Sequence, residues 1–111
     1  MGRAHRPDAL SRRVYAAPSP IHGQGCFARI RFAVGDFIGT FEGAEVDADG
    51  PHVLWLYDEE TGVLAGRRGD NLLRWLNHRD QPNAEFDGFD LYACQPISLD
   101  DEITIDYGAA P

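Results

Sequence analysis

A chain of 111 residues, 43% apolar and 25% charged, has the size and proportions of one globular domain. No run approaches the roughly 18 apolar residues that a membrane-spanning helix needs, and the polar, arginine-bearing start lacks the apolar stretch of a secretory signal. Ten Arg and no Lys face eighteen acids for a formal charge of −8, and Cys26 and Cys94 are too few for a disulfide framework or a four-cysteine zinc site.

Residues 1–13 carry Arg3, Arg6, Arg12 and Arg13 against Asp8 and are broken by Pro7. They read as a flexible basic arm ahead of a domain at 14–111. That domain holds six arginines against seventeen acids. Such a body lacks the clustered cations that phosphate contacts require, so direct nucleic-acid binding is not expected. Its field favours a basic protein or peptide.

From Val14 onward, short apolar or alternating runs are separated by Gly, Pro and Asp clusters about every ten residues, the pattern of a mainly β fold. Strands are predicted at 14–17, 26–32 and 36–41. A turn at 47–51 precedes a strand at 53–57, and a second turn at 58–62 leads to a short strand at 63–65. Helical spacing occurs only at 71–77, where Leu72, Trp75 and Leu76 fall at i, i+3 and i+4 behind Asp70 as N-cap. Asp87-Gly88 between 84–86 and 89–93 predicts a hairpin with a type I′ turn. The last predicted strand is 103–105. Trp55, Tyr57, Phe89, Leu91 and Ile97 read as core and sheet-face residues.

Three stretches carry more than β patterning. In His22-Gly23-Gln24-Gly25-Cys26-Phe27, two glycines around one residue let the backbone turn sharply and approach a ligand. No third glycine and no helix follow, which excludes a dinucleotide fingerprint. Arg74 to Asn83 places an Asn77-His78 pair at a helix end closed by Pro82-Asn83, offering polar side chains and free backbone groups in a fixed bend. Asp101 to Gly108 ends a strand on Tyr107, whose hydroxyl can project into a site. His22 and Cys26 have metal-ligand spacing, but no paired motif accompanies them and no metal is expected.

In this order the stretches resemble the SET-domain family of protein lysine methyltransferases. Gly23-Gln24-Gly25 with Cys26-Phe27 is similar to its Gly-x-Gly segment, and Phe41-Glu42-Gly43 to the Tyr-x-Gly segment that follows. Arg74 to Asn83 resembles Arg-Phe-Ile-Asn-His-Ser-Cys-x-Pro-Asn, with Arg79-Asp80 in place of Ser-Cys. Glu102 to Tyr107 resembles Glu-Leu-Thr-Phe-Asp-Tyr. The size is that of minimal single-domain SET proteins of bacteria and large DNA viruses.

The resemblance implies small curled β-sheets around a C-terminal pseudoknot, a β-clip-like fold with one short helix near 71–77. It implies S-adenosylmethionine as methyl donor and a basic protein, histone-like, nucleoid or ribosomal, as substrate. Backbone around Gly23, Gln24, Gly25, Cys26 and Phe27 would bind the donor with Arg74, Asn77 and His78, and Tyr107 would be the catalytic tyrosine. Phe41 and Ile105 would line the lysine channel, Phe41 where many members carry a tyrosine. The rival reading is a catalytically silent SET-like module that binds a partner protein. A cytoplasmic protein is expected, or one delivered to a host nucleus. A second copy covering the channel would make a homodimer.

Overall fold

The computed structural model describes residues 7–58 and 62–107. Of the stretch read as an arm, residues 1–6 lie outside the described residues, while Pro7–Ser11 form a short helix, α1. Leu10 on α1 packs against the core. Val14–Pro18 (β1) and Gln24–Ala28 (β2) pair antiparallel, with Val14 opposite Ala28. The strand expected at 26–32 therefore starts earlier and stops at Ala28. Beyond it the Arg29 N–H turns to the Arg13 carbonyl, and Phe32 makes an isolated bridge to Ile97.

Phe37–Thr40 (β3) is followed by Gly43–Val46 (β4), which periodicity had not marked. Val53–Asp58 (β5) and Val63–Gly69 (β6) complete a sheet of order β4-β6-β5. β6 runs to Gly69 rather than stopping at Ala65. Gly66-Arg67-Arg68-Gly69 are weak strand formers, but a partner on each side holds them extended. The turn expected at 58–62 falls largely on residues 59–61, outside the described residues.

The predicted helix at 71–77 is a 3-10 helix, Leu72–Trp75, closed by bonds from Arg74 N to Asn71 O and from Leu76 N to Leu73 O. Asn71, not Asp70, caps it: Asn71 Oδ1 accepts from Leu73 N while Nδ2 donates to Thr40 O at 2.8 Å. The helix stops because the next residues, Asn77–His78 (β7), are drawn into a sheet.

Ala84–Asp87 (β8) and Asp90–Ala93 (β9) form the expected hairpin, but Asp87 pairs with Asp90, so the loop is Gly88-Phe89. Gly88 has φ +62° and Phe89 does not have a positive φ. Glycine at the first central position is the signature of a type II′ turn, one residue beyond the type I′ turn expected from Asp-Gly. This hairpin joins β3 in a sheet of order β3-β9-β8.

Glu102–Ile105 (β10) closes the remaining sheet, of order β1-β2-β10-β7. It runs antiparallel to β2 and parallel to β7. Ile103, Thr104 and Ile105 are all buried, so both faces of the strand are covered. The core around it contains Val14, Cys26, Ile38, Leu73, Leu91 and Ile97.

Asn83 holds this strand in place. Its Oδ1 accepts from Thr104 N and its Nδ2 donates to the Glu102 carbonyl, both at 2.9 Å. Asn83→Ala should destabilise the fold by roughly 1–3 kcal/mol for each polar group left buried without a partner. The urea midpoint measures this, and an unchanged midpoint would mean that water replaces the lost amide.

Candidate functional site

β7 lies along β10 with Asn77 opposite Thr104 and His78 opposite Ile105. Asn77 is 8% exposed. Its Nδ2 stands 3.1 Å from the His22 carbonyl, 3.0 Å from the Gln24 carbonyl and 2.9 Å from Glu102 Oε2. An amide NH2 carries two hydrogens, so three acceptors outnumber them. The Glu102 carboxylate also accepts from Ser19 Oγ at 2.8 Å. Among the described residues this carboxylate makes no ion pair. The result is a small cluster rich in oxygen acceptors and short of donors.

Gly25 makes the cluster possible. A Cβ there would stand 2.9 Å from Ser19 Cβ and would overlap the Glu102 carboxylate. Only a bare backbone admits Ser19, Glu102 and Asn77 together.

His78, the next residue of β7, is tied to the end of β10 and beyond. The Tyr107 N–H donates to His78 Nδ1 at 2.9 Å, and the two rings are 5.4 Å apart. The Tyr107 hydroxyl donates to the Leu76 carbonyl at 2.6 Å. Burial pushes that hydroxyl above its ordinary value of 10.0, so it holds its proton at neutral pH.

Tyr107 also lines a groove of about 580 Å³ whose apolar wall includes Phe41, Leu54, Leu64, Phe86 and Ile105. Phe41 is 4% exposed and fixed from several sides. It meets Phe86 edge-on at 6.0 Å and stacks on Phe89 at 6.4 Å. Arg67 lies 3.8 Å over the Phe89 ring and donates from Nη1 to the Phe41 carbonyl at 2.7 Å. Asp49, His52, Trp55 and Arg74 also line the groove.

The residues singled out in the sequence thus fall into two groups. Gln24, Gly25 and Asn77 belong to the acceptor cluster, with Gly23 at φ +47° in the turn before it. Phe41, Ile105, Tyr107 and Arg74 belong to the groove, and His78 links the two through Tyr107. Arg74 is not among the partners of Asn77: it donates to the Asp70 and Asn71 carbonyls and lies 4.7 Å over the Trp75 ring. Phe27 stacks on Tyr15 at 5.6 Å. Cys26 is fully buried in the core, and its backbone is paired on both edges, opposite Ala16 of β1 and Ile103 of β10. Among the described residues, no three of His, Cys, Asp and Glu gather as a metal site.

Sequence reasoning passed over Ser19, the Glu102 carboxylate and the Leu76 carbonyl as site groups. Only Glu102 left a trace, as the first residue of the stretch that ends at Tyr107. Trp55 belongs to the groove wall, where its Nε1 donates to Asp49 at 3.1 Å.

The SET domain family model matches residues 23–108. No curated protein matches the sequence. Among solved structures, a candidate histone methyltransferase of Plasmodium falciparum superposes with a TM-score of 0.64 at 22% identity, over 86% of this chain and 93% of that one. The methyltransferase domain of human PR domain-containing protein 2 gives 0.61 at 17% identity, over 83% and 74%. The methyltransferase domain of human histone-lysine N-methyltransferase SETMAR gives 0.72 at 17% identity, over 85% of this chain and 44% of that one. At these identities the superpositions show a shared fold.

Burial pushes the Cys26 thiol up to about 12 from its ordinary 9.0. Its folded value is raised, so its contribution to stability is complete below pH 9.0 and is lost as pH climbs toward about 12. Iodoacetamide at about pH 8.5, near the free-thiol value, should leave Cys26 unmodified in the folded protein and alkylate it in urea. Mass spectrometry reads this directly, and equal rates in both conditions would mean that β2 opens readily.

Proposed function

The chain belongs to the SET-domain family, and from that premise we propose that it is a protein-lysine N-methyltransferase acting on a basic protein. The observation that carries this reading is an apolar groove lined by a protonated tyrosine, Tyr107, whose backbone is fastened to the Asn77-His78 pair. S-adenosylmethionine is the donor in this reading and supplies a methyl group on a sulfonium. The acceptor cluster fits its methionine ammonium: carbonyls of His22 and Gln24 and the Glu102 carboxylate offer more acceptors than Asn77 can satisfy. Backbone at His78 stands beside this cluster for the rest of the donor.

The substrate follows from charge and shape. A body of six arginines against seventeen acids attracts a basic segment. A long aliphatic side chain then suits a groove walled by Phe41, Leu54, Leu64 and Ile105. Its amine must be neutral to accept a methyl group, which costs about 4–5 kcal/mol at pH 7 for an ordinary lysine. An apolar wall disfavours the ammonium and lowers that cost. Tyr107 and the Leu76 carbonyl orient the amine, and alignment does the rest, because an in-line displacement needs placement more than a strong base.

Tyr107→Phe should cut turnover about 10²-fold or more while leaving donor affinity nearly unchanged. Methyl transfer to a panel of basic proteins, read by mass spectrometry, tests this. Undiminished turnover would remove Tyr107 from the chemistry. Transfer should also rise with pH between about 7 and 9, as more of the amine is neutral while Tyr107 keeps its proton.

Asn77→Ala removes the amide oxygen, the one atom of this side chain that can accept from the donor's ammonium, and should weaken donor binding by roughly 1.5–3 kcal/mol. Calorimetry on a variant first shown to be folded decides it, and equal affinity would move the donor elsewhere. A wild-type protein that binds basic proteins but neither binds nor uses the donor would be a silent binding module.

A further inference from the structure

The pair Arg79-Asp80 stands where the family signature has Ser-Cys, and the structure gives Asp80 a partner. His78 Nε2 lies 2.8 Å from Asp80 Oδ1, while His78 Nδ1 accepts the Tyr107 backbone N–H at 2.9 Å. We propose that His78 and Asp80 form a positioning pair that sets the placement of Tyr107 by choosing which ring nitrogen carries the proton. This inference rests on the reading of Tyr107 as the catalytic tyrosine.

A backbone N–H can only donate, so the nitrogen facing Tyr107 must be bare. In a neutral imidazole the proton then sits on Nε2, and that N–H needs an acceptor. Asp80 supplies it. The opposite tautomer would point its N–H toward Asp106, whose Oδ1 lies 3.6 Å from Nδ1. A proton on Nδ1 would turn the ring's bond from Tyr107 toward Asp106 and leave the Tyr107 N–H facing another N–H. Asp80 selects against that arrangement. Its side chain is 97% exposed, so the pair adds little to global stability. Water competes for the same N–H, so the bias toward the Nε2–H form comes first from the Tyr107 N–H and is reinforced by Asp80.

The consequence runs through a short chain. The Tyr107 N–H bond to His78 fixes the path of the backbone just past β10, and the hydroxyl then reaches the Leu76 carbonyl. Loss of the backbone bond frees the tyrosine to swing from the groove, and misplacement by about 1 Å is worth up to a hundredfold in rate.

Three variants test the pair: His78→Leu, which lacks the acceptor; His78→Asn, whose Oδ1 stands near the old Nδ1; and Asp80→Ala. In His78→Leu, kcat should fall about ten- to a hundredfold with KM little changed, and His78→Asn should recover most of it. Exchange of the Tyr107 amide proton should quicken in His78→Leu and slow again in His78→Asn. The 15N shifts of the His78 ring should report the Nε2–H form in the wild type and a mixture in Asp80→Ala. A wild-type ring protonated on Nδ1, or folded His78→Leu and His78→Asn variants with the same amide exchange, would overturn the proposal. The ring and amide readouts need no turnover. A protein without methyl transfer would defeat the proposed function, while these two measurements would still decide this one.

Discussion

The structure depends on one strand having partners on both edges. β10 is only four residues long, yet its backbone bonds to β2 on one side and β7 on the other, and three of its four residues are buried. A buried peptide group without a partner is costly, so the strand is held only when all three elements and Asn83 are present together. Everything chemical sits on this insertion. Glu102 at its start faces Asn77 and Ser19, Ile105 at its end reaches the groove, and Tyr107 follows two residues later.

The same insertion separates two environments within a few residues. On β7, Asn77 turns to carbonyls and a carboxylate, while its neighbour His78 faces Tyr107 and solvent-exposed Asp80. The first holds more acceptors than its amide donor can satisfy. The groove beyond is walled by aromatic and aliphatic side chains, and Arg67 steadies it by holding the Phe41 carbonyl and covering Phe89. A charged ligand and an apolar one would thus meet near a shared backbone.

Strands with their own alternation and turn residues were readable in the sequence: β1, β5 and the β8–β9 hairpin fall within a residue or so of expectation. β4 and the second half of β6 were not, because Gly43-Ala44 and Gly66-Arg67-Arg68-Gly69 carry no strand propensity and are extended by their partners, β4 by β6 and β6 by both β4 and β5. The hairpin turn slipped by one residue since Asp-Gly and Gly-Phe both permit two-residue loops, and register decided between them. The short helix was visible in the spacing of Leu72, Trp75 and Leu76. Its 3-10 winding and its Asn71 cap follow from a tertiary bond to Thr40. At the site, motif residues were visible as types in order. The role of Ser19, 83 residues from Glu102, could only come from the fold.

The pairing of β10 has a kinetic side. Its partners lie far back along the chain: Glu102 meets Phe27 and Ile103 meets Cys26. Contacts of such long range require the closure of large loops before any bond rewards it, which slows folding. Hairpins such as β8–β9 and β5–β6 need only local contacts. The acceptor cluster and the placement of Tyr107 therefore both depend on the seating of β10. Any ligand that bridges Asn77 and Glu102 binds only the closed sheet, and by mass action it raises the population in which β10 is seated.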